Sequence, residues 1–369
     1  MEIDKIKKRF LFLNEFKVLF LLLFLMFIVS MLGQFSAFNG VFSESVQKHI
    51  IRIIGGIAVM CFIYLCDFRI WNNFAYVFYA VTFVALIVVE FLGTIRLGAQ
   101  RWIDLYFFIF QPSELMKLAL ILALSRYYSM LSPVDTQSLK SHLLPIALTL
   151  FPTILVLKQP DLGTAGVLFL VGCGTIFLSG FPIKTFILSV VSGLLLCPFG
   201  WYFLHDYQKN RILTFMDPDR DPLGTGYHVL QSKIAIGSGY MYGKGFLQGT
   251  QSKLNFLPEK NTDFIFTTIA EELGFIGSTF IILLFLGLIL YFFWCGSETK
   301  TVFAKFLCYG LGLLLFSHVF INIAMVMGVV PVVGIPLPLL SYGGSSMITF
   351  MISCGLIMSS LANRKSFRS

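Results

Sequence analysis

Long apolar runs, separated by short polar segments, recur along the whole chain. About 20 apolar residues in a helix cross the ~30 Å hydrocarbon core of a bilayer. Backbone polar groups find no water there, so each crossing segment must satisfy its own hydrogen bonds, which favours helices. We expect an all-α integral membrane protein, with residues 1–369 as a single polytopic domain. The pattern predicts about ten spans: Phe16–Phe35, Ile51–Leu65, Phe74–Gly93, Pro112–Ser129, Leu143–Leu157, Thr164–Leu178, Thr185–Leu204, Phe275–Trp294, Ala304–Val326 and Leu339–Leu361.

The composition excludes a soluble globular protein. Of the 369 residues, 57% are hydrophobic and only 12% are charged, whereas soluble domains carry roughly 25% charged residues. The seven cysteines lie in or beside the predicted spans, with no disulfide or metal-ligand spacing. The sequence has no phosphate-binding glycine loop, which argues against an ATP-driven pump.

Lysine and arginine set the predicted orientation, because they favour the cytoplasmic side of a membrane. An even number of spans puts both termini on one side, and basic residues flank both ends, so both termini are expected in the cytoplasm. Residues 205–274, between the seventh and eighth spans, then form a large extracytoplasmic loop. Its basic residues are either balanced by loop carboxylates or meet anionic lipid or phosphate. The flanking basic residues are Lys5, Lys7, Lys8, Arg9 and Lys17, then Arg364, Lys365 and Arg368.

Charged residues inside predicted spans are informative, because burying a charge in a membrane is costly. Glu114 and Lys117 closely follow Pro112, a residue that suits the first turn of a helix. Three residues apart, they lie on one helical face and can form an ion pair. The pair either locks this helix to a neighbour or lines a polar cavity. The cavity is favoured, because a buried ion pair contributes little net stability.

Asp263 ends the polar stretch "LPEKNTD", directly before a hydrophobic run that continues to Trp294. This hydrophobic run is longer than one span needs. A short helix before the span would therefore place Asp263 at the outer face of the cytoplasmic membrane, and Glu271 and Glu272 at the depth of the membrane interface. A carboxylate at that position has two interpretations. Thr262 and Asp263 could simply cap a helix, or Asp263 could carry chemistry at the membrane surface.

Two further outer segments are polar and rich in glycine and proline. "KQPDLGTAG" carries Lys158, and "GIPLPLLSYGGSS" carries Ser341 and Ser345. Hydroxyls and free N–H groups at a helix start would suit an anion. A tight turn of small packing residues is the equal alternative for the second segment.

Seven motifs in a fixed order resemble the SEDS family of bacterial cell-wall proteins over nearly the whole chain. They are "GAQRWIDL", "FQPSELMK", "KQPDLGTA", "DPLGTGYHVLQSKIAIGSG", "GKGFLQGTQSKLNFLPEKNTDFIF", "AEELGFIG" and "PVVGIPLPLLSYGGSS". The segment from Tyr227 to Glu259 is more similar to the RodA branch, used in side-wall elongation, than to the division branch, FtsW.

The resemblance implies a ten-span peptidoglycan glycosyltransferase of the bacterial cytoplasmic membrane. Such proteins polymerise lipid II, a lipid-linked disaccharide-peptide, outside that membrane. They work with a class B penicillin-binding protein and other elongation-complex proteins, and no nucleic acid is implied. Asp263 matches the family's essential aspartate, and Glu114 and Lys117 match its essential glutamate and lysine.

The resemblance leads to a mechanistic hypothesis. Asp263 would act as general base on the acceptor 4-hydroxyl, in one inverting displacement at C1 of the donor. Partial burial would raise the pKa of Asp263 toward a useful value. The leaving pyrophosphate needs positive charge, to which a divalent cation (Mg or Mn) could add, although no dedicated metal cluster is predicted. The candidate basic residues are Arg101, Lys117, Lys158, Arg211 and Lys233.

The chain departs from the family pattern at Asn261, where a histidine usually precedes the Thr-Asp pair. Asparagine forms hydrogen bonds but does not titrate near neutrality, so Asn261 and Thr262 are predicted to orient rather than to react. Two other function classes fit the same architecture. One is a transporter that flips lipid II, and the other is a scaffold that only recruits the penicillin-binding protein.

Overall fold

The computed structural model describes residues 16–96, 99–104, 109–132, 134–204, 206–217, 220–221, 224–254, 256–257 and 259–366. The basic residues Lys5, Lys7, Lys8, Arg9 and Arg368, used for the predicted orientation, lie outside these ranges. The helices are α1 Lys17–Ala37, α2 Glu44–Leu65, α3 Phe68–Asn73, α4 Ala75–Leu92, α5 Pro112–Met130, α6 Leu143–Lys158, α7 Leu162–Leu178, α8 Ile183–Gly200, α9 Asp206–Met216, α10 Thr225–Ser238, α11 Thr250–Lys253, α12 Ile265–Glu298, α13 Val302–Val326 and α14 Gly344–Ser366.

Each predicted span overlaps a helix, and the protein is mostly helical as expected; the span predicted from Leu339 begins in a turn, and its helix starts only at Gly344. Seven helices of the described chain are long and apolar enough to cross a membrane: α1, α2, α4, α6 with the turn before it, α12, α13 and α14. Of the other three predicted spans, α7 and the first part of α8 are shorter apolar helices. The third, α5, carries Glu114, Lys117 and Arg126, so its composition is less apolar.

Three short strands connect α4 to α5. They are β1 Thr94–Arg96, β2 Ala99–Asp104 and β3 Ile109–Phe110, and β2 pairs antiparallel with both neighbours. The first two strands lie in the "GTIRLGAQRWID" stretch, which is too polar to join the flanking apolar runs. Inter-strand hydrogen bonds therefore satisfy backbone groups that no helix satisfies.

Helix α5 lies at the centre of the bundle. It packs against α4, α6, α7, α13 and α14, and residues 116–124 are all buried. A helix covered on every side is hydrophobic all round, as this stretch is apart from Lys117. Pro112 occupies the first turn, as predicted, where its missing N–H costs nothing. The charged pair at the start of α5 is therefore inside the protein.

Helix α12 is broken at Gly274, whose backbone has φ +65° and a non-helical ψ. Residues 265–273 form a half-helix, and residues 275–298 form the long helix, which confirms the short helix predicted before the span. The loop after α10 satisfies the amides freed by the break. Tyr240 and Met241 accept hydrogen bonds from the amides of Phe275 (2.8 Å) and Ile276 (3.1 Å) through their carbonyls.

Glu271 and Glu272 attach this half-helix to the rest of the protein. The buried Glu271 carboxylate accepts hydrogen bonds from the Thr250 amide at 2.8 Å, the Gln251 amide at 3.0 Å and Lys244 Nζ at 2.7 Å. Glu272 accepts a hydrogen bond from the Ser36 hydroxyl of α1. Both side chains are buried. Glu271 therefore fixes the half-helix to the large loop, and Glu272 fixes it to α1.

Candidate active site

Asp263 lies in the turn immediately before the half-helix of α12. Phe264 is the N-cap of that helix, and no side chain caps it. The hydroxyl of Thr262 instead donates to the Glu259 carboxylate at 2.8 Å. The capping interpretation of Thr262 and Asp263 is therefore wrong, because neither side chain meets the amides of the first turn.

Three consecutive backbone carbonyls around Asp263 are held by other parts of the protein. The Asn261 carbonyl accepts hydrogen bonds from Gln34 Nε2 of α1 at 3.0 Å and from a backbone amide at 2.8 Å. The Thr262 carbonyl accepts one from the Ser341 hydroxyl at 2.7 Å. The Asp263 carbonyl accepts one from Asn322 Nδ2 of α13 at 2.9 Å. The main chain at Asp263 is thus fixed from three sides.

The side chain of Asp263 is partly buried, and its pKa is higher than that of an ordinary aspartate. Burial, and next the negative charge of Glu259, raise the pKa of Asp263 to about 7, while the Arg211 guanidinium opposes the shift. Gly334 lies close by with φ +70°, and a Cβ there would stand 3.2 Å from Oδ2 of Asp263. A carboxyl group with this pKa exchanges a proton readily at neutral pH.

A second polar centre surrounds Lys117. Its ammonium donates to Glu114 Oε1 at 2.6 Å, as the spacing predicts, and lies 2.8 Å from His318 Nε2 of α13. All three side chains are buried. Glu114 and His318 also line a small, half-open pocket together with Ser346, Thr349 and apolar residues. Through His318 the pair contacts the neighbouring helix α13, and through Glu114 it borders this pocket. The role of the pair in lining a polar cavity stays a prediction.

Arg211 and Lys233, two of the predicted phosphate-binding residues, line one cavity. It is a small, partly open pocket between α9, α10 and the segment that follows α13. Arg211 also donates to the Val332 carbonyl at 3.0 Å. The positive charge of Arg211 acts on the Asp263 carboxylate and opposes the rise of its pKa.

Arg101 and Lys158 have different surroundings. The Arg101 guanidinium donates to the Gln159 carbonyl at 3.2 Å and to the Pro160 carbonyl, and it lies 3.7 Å from the Asp161 carboxylate. Asp161 in turn caps α7 through the Thr164 amide at 3.1 Å. Arg101 thus joins the strand segment to the α6–α7 turn, while Lys158 is exposed at the end of α6.

The two predicted serines also differ. The Ser341 hydroxyl accepts from the Leu337 amide at 2.8 Å while donating to the Thr262 carbonyl, so it is a positioning group. Ser345 lies in the first turn of α14 and is half-buried. Among the described residues, no three His, Cys, Asp or Glu side chains are arranged to hold a metal ion.

The sequence reasoning missed His318, Asn322 and Gln34. Each is a buried polar residue inside an otherwise apolar helix, and His318 and Asn322 are four residues apart in "SHVFIN". That spacing puts both on one face of α13. Isolated polar residues in a membrane helix are a usable signal, because they are expensive unless they have partners.

Long apolar helices, one of them broken at Gly274, surround a carboxyl of raised pKa and a buried ion pair, as fits a multi-pass membrane protein with a polar interior. The family model described as "Cell cycle protein", which includes FtsW, RodA and SpoVE, matches residues 9–366. The chain therefore belongs to the FtsW/RodA/SpoVE family, the SEDS proteins predicted from the motifs.

Relatives within the family agree with the RodA branch. The peptidoglycan glycosyltransferase MrdB of Escherichia coli K12 is 43% identical over 320 residues, which cover 86% of each chain. MrdB of Helicobacter pylori is 38% identical over 85% of this chain and 82% of its own. A solved chain from a peptidoglycan synthase complex, titled for its coordination of polymerization and crosslinking, is 29% identical, with TM-score 0.80, and the match covers 93% of this chain and 97% of that one. RodA of Thermus thermophilus, 24% identical, has the same fold, with TM-score 0.71 over 95% of this chain and 97% of its own.

Proposed function

We propose that this chain is a peptidoglycan glycosyltransferase that polymerises lipid II during side-wall elongation. One observation carries the proposal: the Asp263 carboxylate, on a main chain fixed by three hydrogen-bonded carbonyls, has a pKa of about 7 and is influenced by the charge of Arg211. The relatives named peptidoglycan glycosyltransferase support the same substrate class. If all ten helices that overlap the predicted spans cross the membrane, an even number of crossings puts both termini on the cytoplasmic side. The loop at residues 205–274 then lies outside the cytoplasmic membrane.

Asp263 is the proposed general base. Its carboxylate takes the proton of the acceptor 4-hydroxyl while that oxygen attacks C1 of the donor sugar and the lipid pyrophosphate leaves. A single displacement inverts the configuration at C1 of the donor sugar, so an α-linked donor gives a β-linked polymer. A base with a pKa near the working pH is ionised in a large fraction of molecules and still takes up a proton readily.

Arg211 and Lys233 are the proposed partners of the leaving pyrophosphate. Both line the same cavity, and Arg211 influences the pKa of Asp263. Positive charge placed where negative charge develops stabilises the transition state. Arg101 is assigned a structural role instead, because carbonyls and Asp161 already engage its guanidinium. A divalent cation with the pyrophosphate would add to the same charge stabilisation.

A class B penicillin-binding protein is the proposed partner, because the similar solved chain comes from a complex that coordinates polymerization and crosslinking. The test is polymerisation of fluorescent lipid II by the purified protein with this partner, beside Asp263→Asn. We expect polymer from the wild type and a loss of about 10²–10⁴-fold in the folded variant. Equal polymer from both would remove Asp263 as the base. No polymer from either would favour a lipid II transporter or a scaffold.

A further inference from the structure

The ammonium of Lys117 has a second buried partner besides Glu114. His318 Nε2 lies 2.8 Å from Lys117 Nζ, and His318 Nδ1 lies 3.4 Å from the carbonyl of Pro336. An ammonium only donates hydrogen bonds, so Nε2 of His318 must accept. The imidazole then carries its single proton on Nδ1, facing Pro336. His318 is therefore a neutral acceptor with one defined tautomer.

The same face of α13 also reaches the proposed base. Asn322, one turn after His318, donates from Nδ2 to the Ile335 carbonyl at 2.7 Å and to the Asp263 carbonyl at 2.9 Å. Both side chains are buried. His318 and Asn322 thus contact the neighbouring carbonyls of Pro336 and Ile335. His318 also contacts Lys117, and Asn322 also contacts the Asp263 carbonyl. A single helical turn separates the contact to Lys117 from the contact to Asp263.

We propose that His318 is a positioning residue of this enzyme, which holds the Lys117 ammonium in a fixed register with Asp263. The role rests on the proposed function, because it needs Lys117 and Asp263 to serve one reaction. Lysine has a flexible four-carbon stem, so its ammonium stays in one place only when partners fix it. With Glu114 alone, it is held from one side by a residue of its own helix.

Two amide substitutions separate the two contacts of His318. In His318→Gln, the amide reaches the position of Nε2 and offers Lys117 an acceptor. In His318→Asn, the shorter amide reaches only the position of Nδ1 and can serve the Pro336 carbonyl. Ser317→Ala is the matched control, because in the described part of the chain that buried hydroxyl bonds only the Leu313 carbonyl of its own helix, at 2.8 Å.

The assay is lipid II polymerisation by each full-length variant with the class B partner, normalised to folded protein. We expect His318→Gln and Ser317→Ala to stay within about threefold of the wild type. His318→Asn should lose about 10- to 100-fold, the size of one hydrogen bond to a charged group. Equal or higher activity of His318→Asn than of His318→Gln would overturn the proposal. So would equal loss in both variants.

Thermal unfolding tests the contact without catalysis. His318→Asn should lower the unfolding temperature, and this loss should disappear in the Lys117→Met background, where no ammonium needs an acceptor. An equal loss in both backgrounds would overturn the contact. If the wild type makes no polymer while this coupling is observed, the proposed function fails and the contact remains.

Discussion

Asp263→Asn should stabilise the folded protein while reducing polymerisation by about 10²–10⁴-fold. The substitution keeps the shape of the side chain but removes a carboxylate that burial disfavours. The pKa of Asp263 rises from 3.8 to about 7, so the folded state resists ionisation of this group. Stability from the neutral carboxyl is fully present below about pH 4, the unfolded pKa, and is lost as the pH rises through 7.

The magnitude follows from the shift of about three pKa units. At 1.36 kcal/mol per unit, it corresponds to about 4 kcal/mol for a group fully removed from water. Asp263 is partly exposed, and solvent screening reduces the value, so about 1–2 kcal/mol is expected. For a chain of this length, such a gain raises the unfolding temperature by about 1–3 °C.

The assay is thermal unfolding in detergent, followed by tryptophan fluorescence at pH 4.5 and pH 8. The gain of Asp263→Asn over the wild type should be complete at pH 8 and small at pH 4.5. Glu44→Gln is the control, because Glu44 is a highly exposed carboxylate that is not among the causes of the Asp263 pKa shift, and it should change stability little. A lower unfolding temperature for Asp263→Asn at pH 8, or an equal gain at both pH values, would refute the reasoning.

Three further predictions follow from named contacts. The polymerisation rate should fall about tenfold per pH unit below pH 7, the pKa of the proposed base. Because the negative charge of Glu259 raises the pKa of Asp263, Glu259→Gln should move the midpoint of this pH–rate profile to lower pH. An unmoved midpoint would contradict the assignment. Glu271→Gln, which breaks a buried ion pair, should cost about 3–5 kcal/mol in unfolding experiments, whereas Glu44→Gln in an exposed pair should cost less than about 1. Gly334→Ala should reduce polymerisation more than Gly193→Ala, because only Gly334 combines a positive φ with the approach to the base; equal activities would count against it.

The sequence predicted what depends on local spacing. Apolar runs identified the long helices, and the length of the run after Asp263 predicted the half-helix before Gly274. The pair of Glu114 and Lys117 was predictable because three residues on a helix place two side chains together. These features depend on neighbours within one or two turns, so no knowledge of the tertiary fold was needed.

Contacts between distant segments were not predictable. His318 is 201 residues from Lys117, and Gln34 is 227 residues from the Asn261 carbonyl that it holds. Arg101 was one of five basic candidates for the pyrophosphate, yet its guanidinium is engaged by the α6–α7 turn. Charge alone marks a basic residue as able to bind phosphate. Only the tertiary structure shows which guanidinium already has partners.

Asp263 and Glu271, eight residues apart, differ in what their carboxylates bind, and this difference decides which of them can be the base. At Glu271, amides and an ammonium donate to the carboxylate itself, which holds it as an anion and occupies the lone pairs that a proton would need. At Asp263, the donor binds the backbone carbonyl instead. Among the residues that the structure describes, none donates a hydrogen bond to the Asp263 carboxylate. Hydrogen bonds to that carboxylate would lower its pKa, so fixing the main chain gives the base a defined position while preserving its basicity.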